Sequence, residues 1–190
     1  MKKRSTRRRS SPVATAEERE HFHGKRVVIV DDHPLIRRGL ERMIHSGDDF
    51  HVCGEAGNAD EGLSVIRKLR PDLAIIDIGL PGDRDGIDLA RQLAKQFPEL
   101  AILILSMHED CEYAQRAIAA GARGYMVKHD AVEGISGALT KVLRGEYYLS
   151  PGIRGAVSLP NGKAKLATKM PRGKRSSGGG RAGRQAALFI

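Results

Sequence analysis

The chain has 190 residues, a formal net charge of +9, and 41% hydrophobic against 29% charged residues. Those proportions suit a folded region large enough to bury a core without disulfides, and the longest apolar run, at 100–105, falls far short of the ~20 residues that span a bilayer. Cys53 and Cys111 show no metal-ligand spacing and the N-terminus carries no apolar signal core, which excludes a disulfide framework and fits a reducing cytoplasm.

The charge is unevenly spread. Residues 1–25 hold eight Lys/Arg against three Glu and open with KKRSTRRRSSP, which reads as a disordered basic arm. Residues 26–150 are acidic, with 15 basic against 20 acidic side chains. Residues 151–190 carry nine basic residues, no acid and eight Gly, and read as a disordered tail.

The middle alternates short apolar runs with amphipathic stretches. Strands are predicted at 26–30, 51–55, 73–77, 101–106 and 124–127. VVIV, LAIID and AILIL are continuous and largely aliphatic, as strands buried on both faces should be. Helices are predicted at 34–46, 60–68, 87–96, 111–120 and 132–144. The first carries Leu35, Leu40, Met43 and Ile44 on one stripe, and Gly121 and Gly145 suit C-terminal caps. Five strands alternating with five helices predict an α/β fold: a doubly wound, five-stranded parallel sheet with helices on both faces. Such sheets bind ligands at the carboxyl ends of their strands.

The chemistry concentrates there. Strand 1 ends in Asp31 and Asp32, strand 3 in Asp77 and strand 4 in Ser106, and Lys128 follows strand 5. Three carboxylates held together repel one another and need a cation; hard oxygen ligands at this density suit Mg²⁺. A Lys and a hydroxyl beside them supply a charge and a donor for a phosphoryl group. The set predicts phosphoryl transfer to a carboxylate.

The stretches VVIVDDHPLIRRGL, DLAIIDIGLPG, AILILSMHED and GARGYMVKHDA resemble the receiver domain of response regulators, and more narrowly the FixJ/NarL type of two-component regulator. The resemblance covers about residues 26–150 and implies a flavodoxin-like receiver fold. It implies Asp77 as phosphoacceptor, Asp32 as direct Mg²⁺ ligand, Asp31 acting largely through water, and the Gly79 carbonyl as a further metal ligand. It also implies Lys128 on a phosphoryl oxygen, Ser106 turning toward the new phosphoryl group, and Tyr125 changing rotamer in step. The implied partner is a sensor histidine kinase or phosphotransfer protein, with a homodimer allowed, DNA left open and no membrane. The domain would promote its own Mg²⁺-dependent phosphorylation and dephosphorylation without being a free-standing enzyme. Two departures stand out: Gly86 comes one residue later than the family pattern, and His129 stands where many relatives have Pro.

Residues 151–190 show nothing resembling the helix-turn-helix output of that type. Ile153, Val157 and Leu159 are scattered, without periodicity. Three readings therefore stand: a phosphoacceptor module acting through protein partners, a regulator whose output is truncated or frameshifted after about Ser150, and nucleic-acid binding by the basic arms. Elsewhere the residues read more plainly. His33 suits a helix start or pocket rim, and His21, His23, His45 and His51 suit the surface. Cys53 suits the core and Cys111 a helix start.

Overall fold

The structure, a computed structural model, describes residues 24–45, 47 and 49–160. The basic arm and most of the tail lie outside these residues, as do His21 and His23. Six strands and five helices follow in alternation: β1 (Lys25–Val30), α1 (Pro34–Ile44), β2 (Phe50–Ala56), α2 (Ala59–Leu69), β3 (Leu73–Asp77), α3 (Gly86–Gln96), β4 (Ala101–Ser106), α4 (Cys111–Ala119), β5 (Gly124–Val127), α5 (Ala131–Leu143) and β6 (Tyr148–Leu149). All pairings are parallel, in the order β2-β1-β3-β4-β5-β6. The chain reverses its direction of travel across the sheet between β1 and β3, which opens a crevice at their carboxyl ends.

The aliphatic runs make strands because both faces are covered. Alternate residues serve opposite cores. Val28, Val30, Ala74, Ile76, Ile102 and Ile104 pack with Ile66, Leu89, Leu93 and Ile118 from α2, α3 and α4. Val27, Ile29, Leu73, Ile75, Leu103 and Leu105 pack with Leu40, Ile44, Ile135 and Leu139 from α1 and α5. Local capping sets the helix starts. Asn58 accepts from the Glu61 N–H at 2.9 Å, while the Glu61 carboxylate accepts from the Gly57 N–H at 2.8 Å. Asp85 and Asp110 cap α3 and α4 by accepting from the Asp88 and Glu112 N–H groups.

The sheet has six strands where the sequence predicts five. β6 is only two residues long, too short for a periodic signal, yet Tyr148 and Leu149 are buried against β5. The chain stays packed beyond residue 150. Ser150 is fully buried and its Oγ accepts from the Val127 N–H at 2.9 Å. A 3₁₀ turn at Pro151–Ile153 drives Ile153 into the α2–α4 core, and Val157 and Leu159 lie against it. Gln115 on α4 makes two hydrogen bonds to the Ser158 backbone, at 2.8 and 3.0 Å. Leu35 departs from the predicted stripe: it is 80% exposed at the start of α1.

Candidate functional site

The sheet register brings the acidic residues together. Val30 pairs with Ile76, so Asp31 and Asp77 occupy corresponding positions on neighbouring strands. Ser106 pairs with Val127, which places Lys128 one residue beyond that row. Carboxylate oxygens of Asp31, Asp32 and Asp77 and a ring nitrogen of His33 all lie within 4.8 Å of one another.

Lys128 bridges two of these carboxylates. Its Nζ is 2.7 Å from Asp31 Oδ2 and 2.9 Å from Asp77 Oδ2. Burial would lower the Lys128 pKa, but the hydrogen bonds to Asp31 and Asp77 outweigh it and raise the value, so the ammonium stays charged. Three carboxylates facing one ammonium leave an excess of two negative charges, which a divalent cation would balance.

The two neighbouring aspartates differ. Asp31 is buried and held on every side: its N–H donates to Ala56 O at 3.1 Å, its carbonyl accepts from Arg37, Oδ1 accepts from the His33 N–H, and Oδ2 faces Lys128. Asp32 is partly exposed, and its Oδ1 is shielded from water yet accepts no hydrogen bond. His33 Nδ1 lies 2.6 Å from that oxygen but outside hydrogen-bond geometry. A shielded carboxylate oxygen without a hydrogen-bond donor, within a doubly negative cluster, fits Mg²⁺.

The loop after β3 shapes the other wall. A side chain at Gly79 would begin 3.7 Å from Asp77 Oδ2, so this backbone lies against the carboxylate. Gly82 turns the loop with φ +105°. Gly86 then packs flat on β3: its N–H donates to Ile78 O at 3.0 Å, and any Cβ would overlap the Asp77 carbonyl oxygen. The later glycine of this loop is therefore the residue that lets α3 start against the Asp77 backbone.

Ser106 and Tyr125 form a second cluster beside the carboxylates. Ser106 is buried and its Oγ accepts from the His108 N–H at 3.0 Å. Tyr125 is fully buried, and its hydroxyl donates to the His108 carbonyl at 2.9 Å. Burial raises the Tyr125 pKa, with the adjacent Ser106 hydroxyl acting in the opposite direction, and the phenol remains a neutral donor.

A profile of the response regulator receiver domain matches residues 27–140. The chain belongs to this family. Among curated relatives, it is 34% identical over 134 residues to Response regulator GacA of Pseudomonas viridiflava, covering 70% of this chain and 62% of that protein. It is 37% identical over 128 residues to the transcriptional regulatory protein YhcZ of Bacillus subtilis, covering 67% of this chain and 59% of that protein. The chain thus spans about three fifths of the length of these relatives. The receiver fold itself superposes on a LuxR-family two-component response regulator from Aurantimonas, with a TM-score of 0.66 and 34% identity, covering 68% of this chain and 92% of that one. The signal receiver domain of the putative response regulator NarL from Mycobacterium tuberculosis gives 0.61 and 30%, covering 65% and 98%.

Several contacts were not visible in the sequence. The histidines read as plain surface residues, His45 and His51, stack at 5.3 Å, and His45 Nε2 accepts from the Val52 N–H. Arg37 reaches two strand ends at once. Its DDHPLIRR context gives a helix start, but the partners it meets, Asp31 just past β1 and Glu55 on β2, come from separate parts of the chain. Among the described residues no helix is long and apolar enough to cross a membrane.

Proposed function

We propose that Asp77 of this receiver domain accepts a phosphoryl group from the phosphohistidine of a sensor kinase or phosphotransfer protein, in the cytoplasm, and relays the signal by a change of conformation. The observation that carries this reading is Asp77 itself: a buried carboxylate held 2.9 Å from a charged Lys128 and grouped with two further aspartates.

An Asp77 carboxylate oxygen attacks phosphorus, the phosphorus–nitrogen bond breaks, and its electron pair returns to the donor imidazole. Asp32, Asp31 and Asp77 would hold Mg²⁺, with the Gly79 carbonyl as a further ligand. When bound, the ion supplies charge neutralisation between the attacking carboxylate and the incoming phosphoryl oxygens. Lys128 gives up part of its contact with Asp77 and follows a phosphoryl oxygen, stabilising charge as it develops. Ser106 turns its hydroxyl toward the acyl phosphate, releasing the His108 N–H. Tyr125 shares the His108 backbone with Ser106, so the two side chains change together. The same groups, by holding water against the acyl phosphate, set its lifetime.

Acetyl phosphate with Mg²⁺, followed by intact-mass measurement, tests this. One added phosphoryl group is expected, absent with a chelator and absent in Asp77→Asn. Labelling that persists in Asp77→Asn refutes the assignment.

A further inference from the structure

We propose that Arg37 is a positioning residue for the cation site, acting through the backbone of Asp31 to set the direction of Asp32. The inference rests on the phosphoacceptor reading for the identity of the site, and on Arg37's own contacts for its role. Arg37 lies on the first turns of α1. Its Nη1 donates to the Asp31 carbonyl at 2.6 Å and its Nε to Glu55 Oε2 at 2.7 Å. The partners lie at the ends of neighbouring strands, Asp31 just past β1 and Glu55 one residue before the end of β2: Ile29 pairs with Glu55, Val30 with Ala56, and the Asp31 N–H continues the ladder to Ala56 O. One guanidinium therefore ties α1, β1 and β2 together at the edge of the site. The pair is largely shielded, with 18% of the Arg37 side chain and 32% of the Glu55 side chain exposed.

The route from Arg37 to Asp32 is covalent geometry. The Asp31 carbonyl and the Asp32 N–H belong to one rigid peptide plane. Holding the oxygen fixes the tilt of that plane, and so the direction in which the Asp32 side chain leaves the chain. Asp32 needs such support because its own Oδ1 accepts no hydrogen bond, its one close neighbour there being His33 Nδ1 at 2.6 Å on an exposed ring. Asp31, by contrast, is fixed by His33, Lys128 and Ala56. Local preference argues against placing an Arg here for helix stability alone. The start of α1 favours negative charge, α1 has no acidic residue in its first turn, and the first turns of α2, α3 and α4 carry two, one and one. A two-point contact also explains Arg rather than Lys, whose single ammonium does not span both acceptors in a fixed plane.

Calorimetric titration of the full chain with Mg²⁺ tests the role, with far-UV circular dichroism and thermal melts in chelator as folding controls. Arg37→Ala should raise the Mg²⁺ dissociation constant about tenfold, the scale on which residues orienting metal ligands act. Arg37→Lys should recover about a third of that loss on a logarithmic scale. Arg38→Ala removes the same charge from an exposed neighbour and should stay within about twofold of wild type. Should Arg37→Ala fail to fold, Arg37→Gln carries the same expectation. A folded Arg37 variant that binds Mg²⁺ as wild type does, or an equal loss in Arg38→Ala, overturns the inference while leaving the phosphoacceptor reading intact. A wild-type chain that binds no Mg²⁺ overturns both this role and the metal's part in that reading.

Discussion

Lys128 Nζ sits 2.9 Å from Asp77 Oδ2, and this contact joins the end of β5 to the end of β3 across β4. The ammonium is the counter-charge that lets Asp31 and Asp77 stay buried side by side. Lys128→Met should destabilise the metal-free domain by about 3 kcal/mol, because it leaves both carboxylates without their cation. Urea denaturation in chelator measures this. The same variant should slow labelling by acetyl phosphate by about a hundredfold, the scale seen when a charge-stabilising donor is removed. The pH dependence has a definite sign. A raised Lys pKa in the folded state adds stability that is complete below the ordinary value of 10.5 and is lost as pH rises through the higher folded value. Wild type should therefore lose stability on alkaline titration more steeply than Lys128→Met.

Gly86 is held by close approach to the Asp77 backbone. Gly86→Ala forces a methyl group against the Asp77 carbonyl and should cost about 2 kcal/mol, with movement at the start of α3. Thermal melting reads the stability. A lower labelling rate at Asp77 reads the displacement of the carboxylate. A fully stable Gly86→Ala with wild-type labelling contradicts the packing described for this loop.

At the opposite end of the sheet, Asp72 accepts from the Arg26 N–H at 2.8 Å and from Lys25 Nζ at 2.9 Å. Burial pushes its pKa up, but these hydrogen bonds prevail and hold it below the usual 3.8. Its contribution to stability is therefore complete above 3.8 and is lost as pH falls through the lower folded value. Asp72→Asn should flatten the acid limb of the stability profile, measured by urea denaturation at a series of pH values, and leave the neutral-to-alkaline limb unchanged.

The segment following β6 belongs to the packed core. Ile153 is buried and Ser158 is paired with Gln115. Ile153→Ala should cost about 2 kcal/mol, the low end for emptying a core site. Gln115→Ala should leave global stability nearly unchanged but raise hydrogen exchange of the Ser158 amide. Unchanged stability in Ile153→Ala contradicts this packing.

Much of this fold was legible because its strands are buried on both faces: runs such as VVIV and LAIID leave little alternative, and helical spacing separates them. The site was legible for a related reason. Asp31, Asp77 and Ser106 stand where apolar runs stop, so parallel topology alone gathers them. Lys128 follows the same logic one residue further on. What escaped has identifiable causes. β6 and the turn carrying Ile153 are too short to show periodicity, and their burial depends on the β5 edge they cover. Leu35 falls on the apolar stripe of α1 but lies at its exposed first turn. The Arg37–Glu55 pair joins residues 18 positions apart, and its geometry follows from the β1–β2 register rather than from local pattern.

The most direct test locates the phosphoryl group chemically. Borohydride reduction of the acyl phosphate formed with acetyl phosphate and Mg²⁺ converts the modified aspartate to homoserine, which peptide mass spectrometry places in the sequence. Phosphorylation at Asp77 predicts homoserine at position 77 and unmodified aspartate at positions 31 and 32. Homoserine at position 31 or 32, or none at position 77 in a folded, Mg²⁺-saturated protein, contradicts it.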